Sequence, residues 1–238
     1  MWSGLKMVGP MINSGSLLIG GVVGWLVGRW LPERVKVSLA LLFGVVTIGL
    51  SVPLIVKTDA MHIVVLSLII GTFIGELLGL ESGLERFLKR VMGRFAEGES
   101  EESQVYFAQY ITLIALFCFG SMGVFGAFSE GITHTPDVLL IKATLDFFTA
   151  MIFASQLGVA IAFIALPQFI MLAAIYLSAA QLAPFISEMM LNDFSACGGI
   201  IFIATGFRMC DIKRFAIINM MPALLVVLLL SRLWEQFG

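Results

Sequence analysis

Apolar positions along this chain are continuous, not alternating. They gather into eight runs: Pro10–Leu31, Val35–Val56, Ala60–Leu80, Tyr106–Ala127, Leu139–Phe163, Gln168–Ser187, Phe194–Cys210 and Phe215–Leu233. Each approaches the ~20 residues an α-helix needs to cross ~30 Å of hydrocarbon. The pattern predicts an all-α polytopic membrane protein of eight transmembrane helices; a membrane barrel would instead alternate polar and apolar positions. Connections are short except at 81–105, where Leu80, Leu84, Phe87, Leu88, Val91 and Phe95 recur at helical spacing beside Glu85, Arg86, Lys89, Arg90 and Arg94. That spacing predicts an amphipathic helix on the membrane surface, either a lipid-sensing element or a plain tether. An acidic linker with Glu97, Glu99, Glu101 and Glu102 is expected to follow. The chain is accordingly divided into 1–80 (segments 1–3), 81–105 (amphipathic helix and linker), 106–190 (segments 4–6) and 191–238 (segments 7–8).

Composition agrees with a membrane-embedded chain: 59% of residues are hydrophobic, 13% are charged, and the mean hydropathy is +1.02. Fourteen Lys and Arg against sixteen Asp and Glu leave a net charge of −2, which excludes a basic nucleic-acid binder. The distribution of cations is more informative than their sum. Loops 1, 3, 5 and 7 carry ten, from Arg29 and Arg34 to Lys213 and Arg214, whereas the opposite side carries Lys6, Lys57, Lys142 and Arg232. Because Lys and Arg near short loops stay in the cytoplasm, both termini are expected on the periplasmic or outer side. The first run ends in Arg29-Trp30-Leu31-Pro32 and not in a small-residue cleavage site, so it is expected to be a retained span. Cys118, Cys197 and Cys210 lack metal-ligand or disulfide spacing and are expected to be packing residues. No HExxH, GxSxG or GxxxxGK[ST] motif occurs, so no catalytic residue, metal or cofactor is expected.

A displacement of 178 residues places Gly20 on Gly198, Gly21 on Gly199, Gly28 on Gly206, Glu33 on Asp211 and Lys36 on Arg214. Segments 1–2 thus resemble segments 7–8, and segment 4, with Gly120, Gly123 and Gly126, has a similar glycine-rich form. This suggests internal, inverted repeats, a common build of secondary transporters. Gly20, Gly24 and Gly28, and likewise Gly71, Gly75 and Gly79, recur every fourth residue and should line helix faces that pack closely.

Polar groups inside the spans mark the candidate site, because a carboxylate there costs on the order of 2.5–3.5 kcal/mol on insertion scales. Asp146 lies about two turns into segment 5, on one stripe with Lys142, Thr149 and Gln156. It could bind a cation or carry a proton with Thr149 and Gln156 assisting, or simply pair with Lys142 one turn away. Asn13 and Ser14 at the start of segment 1, and Asn192, Asp193 and Ser195 at the start of segment 7, are either helix caps or, at recessed helix starts, part of an anion site. Pro222 predicts a kink in segment 8 beside Asn219. Glu76, near the end of segment 3, is expected to reach the headgroups.

Several strings carry a resemblance: Phe117-Cys118-Phe119-Gly120-Ser121-Met122-Gly123, Lys142 with Leu145-Asp146, Phe153-Ala154-Ser155, Gly198-Gly199, and Asn219 with Pro222-Ala223-Leu224. Over nearly the whole chain the sequence resembles the family catalogued as domain of unknown function 554. The resemblance implies a polytopic bacterial inner-membrane protein and brings no catalytic residues with it. Taken together, the residues point to a secondary transporter of a small solute or ion in contact with the lipid bilayer. In it, Asp146, Thr149, Gln156, Asn192, Asp193 and Asn219 would converge on a water-accessible polar site. The alternatives are a non-transporting scaffold, possibly a homo-oligomer packed through the glycine faces, and a channel.

Overall fold

The computed structural model describes residues 7–27, 30, 32–93 and 101–237, and no strand occurs among them. In chain order the helices are α1 (Val8–Val27), α2 (Glu33–Ile55), α3 (Met61–Leu78), α4 (Leu80–Gly93), α5 (Glu101–Phe119), α6 (Ser121–Thr133) and α7 (Asp137–Leu157). They continue with α8 (Ala160–Phe163), α9 (Ala165–Leu182), α10 (Glu188–Met209), α11 (Ile217–Met220) and α12 (Pro222–Phe237). Eight stretches of these are long and apolar enough to cross a membrane: α1, α2, α3, α5 with α6, α7, α8 with α9, α10, and α11 with α12. Large apolar side chains such as Ile19, Trp25, Ile69, Phe73 and Leu77 stand exposed on them, where acyl chains are the matching solvent.

Prolines and glycines set the helix boundaries. Pro10 and Pro167 sit in first turns and Pro222 opens α12, positions where a missing N–H costs no helical bond. The kink expected in segment 8 is the break between α11 and α12 at that proline. Gly158 has φ 76° and ψ −167°, a conformation that side-chain-bearing residues avoid, and it ends α7. Segment 5 therefore stops at Leu157 and segment 6 begins at Ala160, where the apolar pattern had run on to Phe163 and resumed at Gln168. Segment 4 is likewise not one helix ending at Ala127. It breaks at Gly120, whose backbone is extended, and continues to Thr133, where His134 closes it at φ 59°.

Two compact units alternate along the chain. Unit 1 comprises Met1–Leu39 and Leu84–Ala183, and unit 2 comprises Ala40–Gly83 and Pro184–Gly238. In unit 1, α1 packs along α7 and against α8 and α9, while α6 packs on α9 and α7. Its core gathers Leu17, Phe117, Cys118, Ala150, Ala154, Ile161 and Ile164. A Cβ on Gly20 would strike the Phe147 carbonyl and one on Gly24 the Met151 carbonyl, so α1 touches the α7 backbone. In unit 2, α3 packs on α11 and α12, and α10 packs on α12 and α3. Here Gly71 meets Ala223 and Gly75 meets the Asn219 carbonyl. Gly79 does a different job from Gly71 and Gly75: at φ 57° it is the left-handed cap of α3. Gly28 lies outside the described residues.

The surface segment forms α4, with Phe87 exposed and Leu88 buried. Arg94, Phe95, Glu97 and Glu99 lie outside the described residues. Glu101 and Glu102 belong to the first turn of α5, not to a linker.

Candidate functional site

Asp146 is 7% exposed and Lys142 4%, both on α7 and facing the interior of unit 1. One turn of helix separates them, and they form an ion pair. Lys142 therefore does not stretch toward the interface. The Asp146 Oδ2 atom also accepts from Asn13 Nδ2 on α1 at 2.7 Å and from Gln168 Nε2 on α9 at 2.8 Å. Three helices thus supply donors to one carboxylate oxygen. Beside α7, Ser16 Oγ of α1 donates to the Ala143 carbonyl at 2.6 Å, fixing α1 at this height.

The cluster stands at the break in segment 4. In an unbroken helix the Phe117 carbonyl would accept from the amide of residue 121; with the chain extended at Gly120 it instead accepts from Gln168 Nε2 at 3.1 Å and Lys142 Nζ at 3.4 Å. Side chains from two other helices therefore replace the missing backbone donor, a requirement for any break at membrane depth. Gly123 gives this lysine room: a Cβ there would lie 3.2 Å from Lys142 Cε. The satisfaction is incomplete. Asn13 Oδ1 and Gln168 Oε1, on side chains with no exposed surface, find no partner among the described residues.

The six expected residues fall in both units, Asp146, Thr149 and Gln156 in unit 1 and the other three in unit 2. Thr149 is half-buried and is not among the groups bonded to Asp146, and Gln156 is exposed, so the stripe on α7 narrows to Lys142 and Asp146. Asn192, Asp193 and Asn219 belong to unit 2. Asp193 is fully buried and accepts from Thr58 Oγ1, the Asp59 and Ala60 amides, and Ser231 Oγ, at 2.7–3.1 Å. It is a cap for the start of α3. Asn192 donates to Asp59 at 2.9 Å, and Asn219 accepts from the Glu81 amide at 2.8 Å at the start of α4. The expectation that Asn13, Ser14, Asn192, Asp193 and Ser195 begin helices is also corrected. The helix α1 starts at Val8, and α10 starts at Glu188 with Ser187 as its cap, so these polar groups lie a turn or more inside, where no unpaired amide remains for an anion.

Three groups of these buried hydrogen-bond networks escaped the sequence pattern. Gln168 sits next to Pro167, and reading that proline as a first-turn residue would have moved it inside the span. Phe117 takes part only through its carbonyl, which no side-chain pattern reports. Glu130 is 1% exposed and accepts from the Gly9 amide at 3.0 Å, the acidic start cap of α1. It lies one turn past the boundary set at Ala127, so extending segment 4 would have exposed it as an intramembrane carboxylate. Glu76 is exposed.

Against this geometry stand the known relatives. The model of the family described as "Protein of unknown function (DUF554)" matches residues 8–232. This chain belongs to that DUF554 family. The "Uncharacterized protein YqgA" of Escherichia coli (strain K12) is 40% identical over 232 residues, covering 97% of this chain and 99% of the relative. The "Uncharacterized membrane protein YdfK" of Bacillus subtilis (strain 168) is 25% identical over 236 residues, covering 98% and 99%. No solved structure matches. This DUF554 member is thus a polytopic membrane protein in contact with the bilayer through its eight apolar helical stretches.

Proposed function

We propose that this DUF554 protein is a secondary transporter that carries a small solute or ion across a bacterial inner membrane, using the Asp146 cluster as its binding site. One observation carries the reading: a charge pair and two amide side chains are buried where a spanning helix is interrupted, and two of their oxygens have no partner. Interrupted helices whose exposed backbone is met by polar side chains are the usual binding sites of secondary carriers. A scaffold assembled through the glycine faces has less support, because Gly20, Gly24, Gly71 and Gly75 already meet helices of their own units. The excess of cations in loops 1, 3, 5 and 7 supports an orientation with both termini outside the cytoplasm.

The test is a thermal-unfolding screen of purified protein in detergent against ions and metabolites, run beside Asp146→Asn. A ligand specific to the folded state at ~100-fold saturation stabilises by about 2.7 kcal/mol. The expected result is a stabilising ligand whose effect disappears in Asp146→Asn. A folded protein that no member of a broad panel stabilises would overturn the reading.

A further inference from the structure

We propose that the Asp146 cluster is a site for a small monovalent cation, sodium foremost, and that the Lys142 ammonium is its built-in competitor. This rests on the carrier reading and names the class of its ligand. The ammonium group lies between the Asp146 carboxylate and the Phe117 carbonyl, the position a bare cation would take between the same two oxygens. The two partnerless amide oxygens lie close by. Nitrogen and oxygen of one amide are ~2.2 Å apart, so each oxygen is within about 5 Å of the Asp146 Oδ2 atom that its own nitrogen contacts. Rotation of either amide exchanges a donor for an acceptor at that atom. When Lys142 withdraws, Asp146, Phe117, Asn13 and Gln168 can therefore offer a carboxylate, a backbone carbonyl and two amide oxygens.

Charge selects the valence. One carboxylate balances one positive charge, and no second carboxylate joins the hydrogen bonds of this cluster. Calcium takes six to eight oxygens, commonly with several carboxylates, and magnesium keeps a rigid octahedral shell, so both are poorly matched. An anion would have to displace Asp146 from three donors. The competition has a consequence for transport: either Lys142 or the external cation neutralises Asp146, and the exchange balances in charge only as the displaced ammonium swings on its flexible stem out of the cluster to water.

The experiment uses the full chain in detergent and reads thermal stability as sodium chloride replaces choline chloride at constant ionic strength. In wild type, sodium should give a weak, saturable rise. In Lys142→Met, which removes the competitor, the rise should saturate at least tenfold lower in sodium. In Lys142→Met combined with Asp146→Asn it should vanish. Sodium indifference of Lys142→Met, or a sodium response that survives in the double variant, would overturn the proposal. Should Lys142→Met fail to fold, saturable protection of wild type by sodium, lost in Asp146→Asn, supports the proposal and its absence overturns it. A metabolite that stabilises wild type but not Asp146→Asn, with no sodium effect in either, would remove this inference and leave the carrier reading standing.

Discussion

Lys142 and Asp146 are four residues apart on one helix, so their meeting was open to the sequence; what surrounds them was not. Asn13 and Gln168 reach the same oxygen from 133 and 22 residues away, and the Phe117 carbonyl depends on a break that only packing reveals. The pair should behave as a buried unit. Removing one partner of such a pair typically costs 3–5 kcal/mol, because an uncompensated charge stays behind. Lys142→Met and Asp146→Leu should each lose about that much, while the double variant should recover most of the loss, since replacing both charges by apolar groups is often close to neutral. Chemical unfolding in detergent gives the double-mutant cycle, and additive losses would show that the two groups act independently. Thr149 and Gln156 show why helical periodicity overcalls a site. A stripe of about 80° on a helix spans both the face that is buried and the flank that is not, and only the neighbouring helices decide which is which.

At the scale of the element, glycine carries two separate messages. Gly20, Gly24, Gly71 and Gly75 are spaced for close packing, and the spacing could be read directly, but the partners α7, α11 and α12 could not. Gly79 continues the same spacing and instead caps a helix, because the chain must turn there. Close approach predicts a sharp contrast among glycines. Gly24→Ala and Gly75→Ala push a methyl group into backbone and should cost about 1–3 kcal/mol. Gly15→Ala and Gly49→Ala meet nothing within 4 Å and should change stability little, or raise it by up to ~1 kcal/mol through helix propensity. Thermal unfolding of the four variants checks the order. Helix starts are treated with equal economy: Glu130 caps α1, Asp193 caps α3, and Glu81 accepts from the Ile218 amide at 3.2 Å at the start of α11. Each caps a helix distant in sequence, so a local search for capping residues could not find them.

For the whole molecule, the orientation proposed from the count of cations is testable. Lys142 stands buried in an ion pair, so it no longer counts among the outer cations, and the asymmetry grows. A reporter active only in the cytoplasm should be silent when fused after Phe237 and active when inserted between α10 and α11, near Lys213 and Arg214. The reverse pattern would overturn the orientation. The sequence by itself determined that this is an all-α membrane protein of eight spans, since the apolar length needed to cross a bilayer is a property of consecutive residues. It also marked Asp146 and Lys142, since charge is costly in hydrocarbon wherever it falls. Only the tertiary structure decided that segments 1, 4, 5 and 6 form one unit and segments 3, 7 and 8 another with most of segment 2. It also decided that segment 4 breaks at Gly120 and that Asp193 caps the start of α3. These outcomes depend on which backbones can approach and which buried donors and acceptors then find one another, and those pairings join residues that the order of the chain keeps far apart.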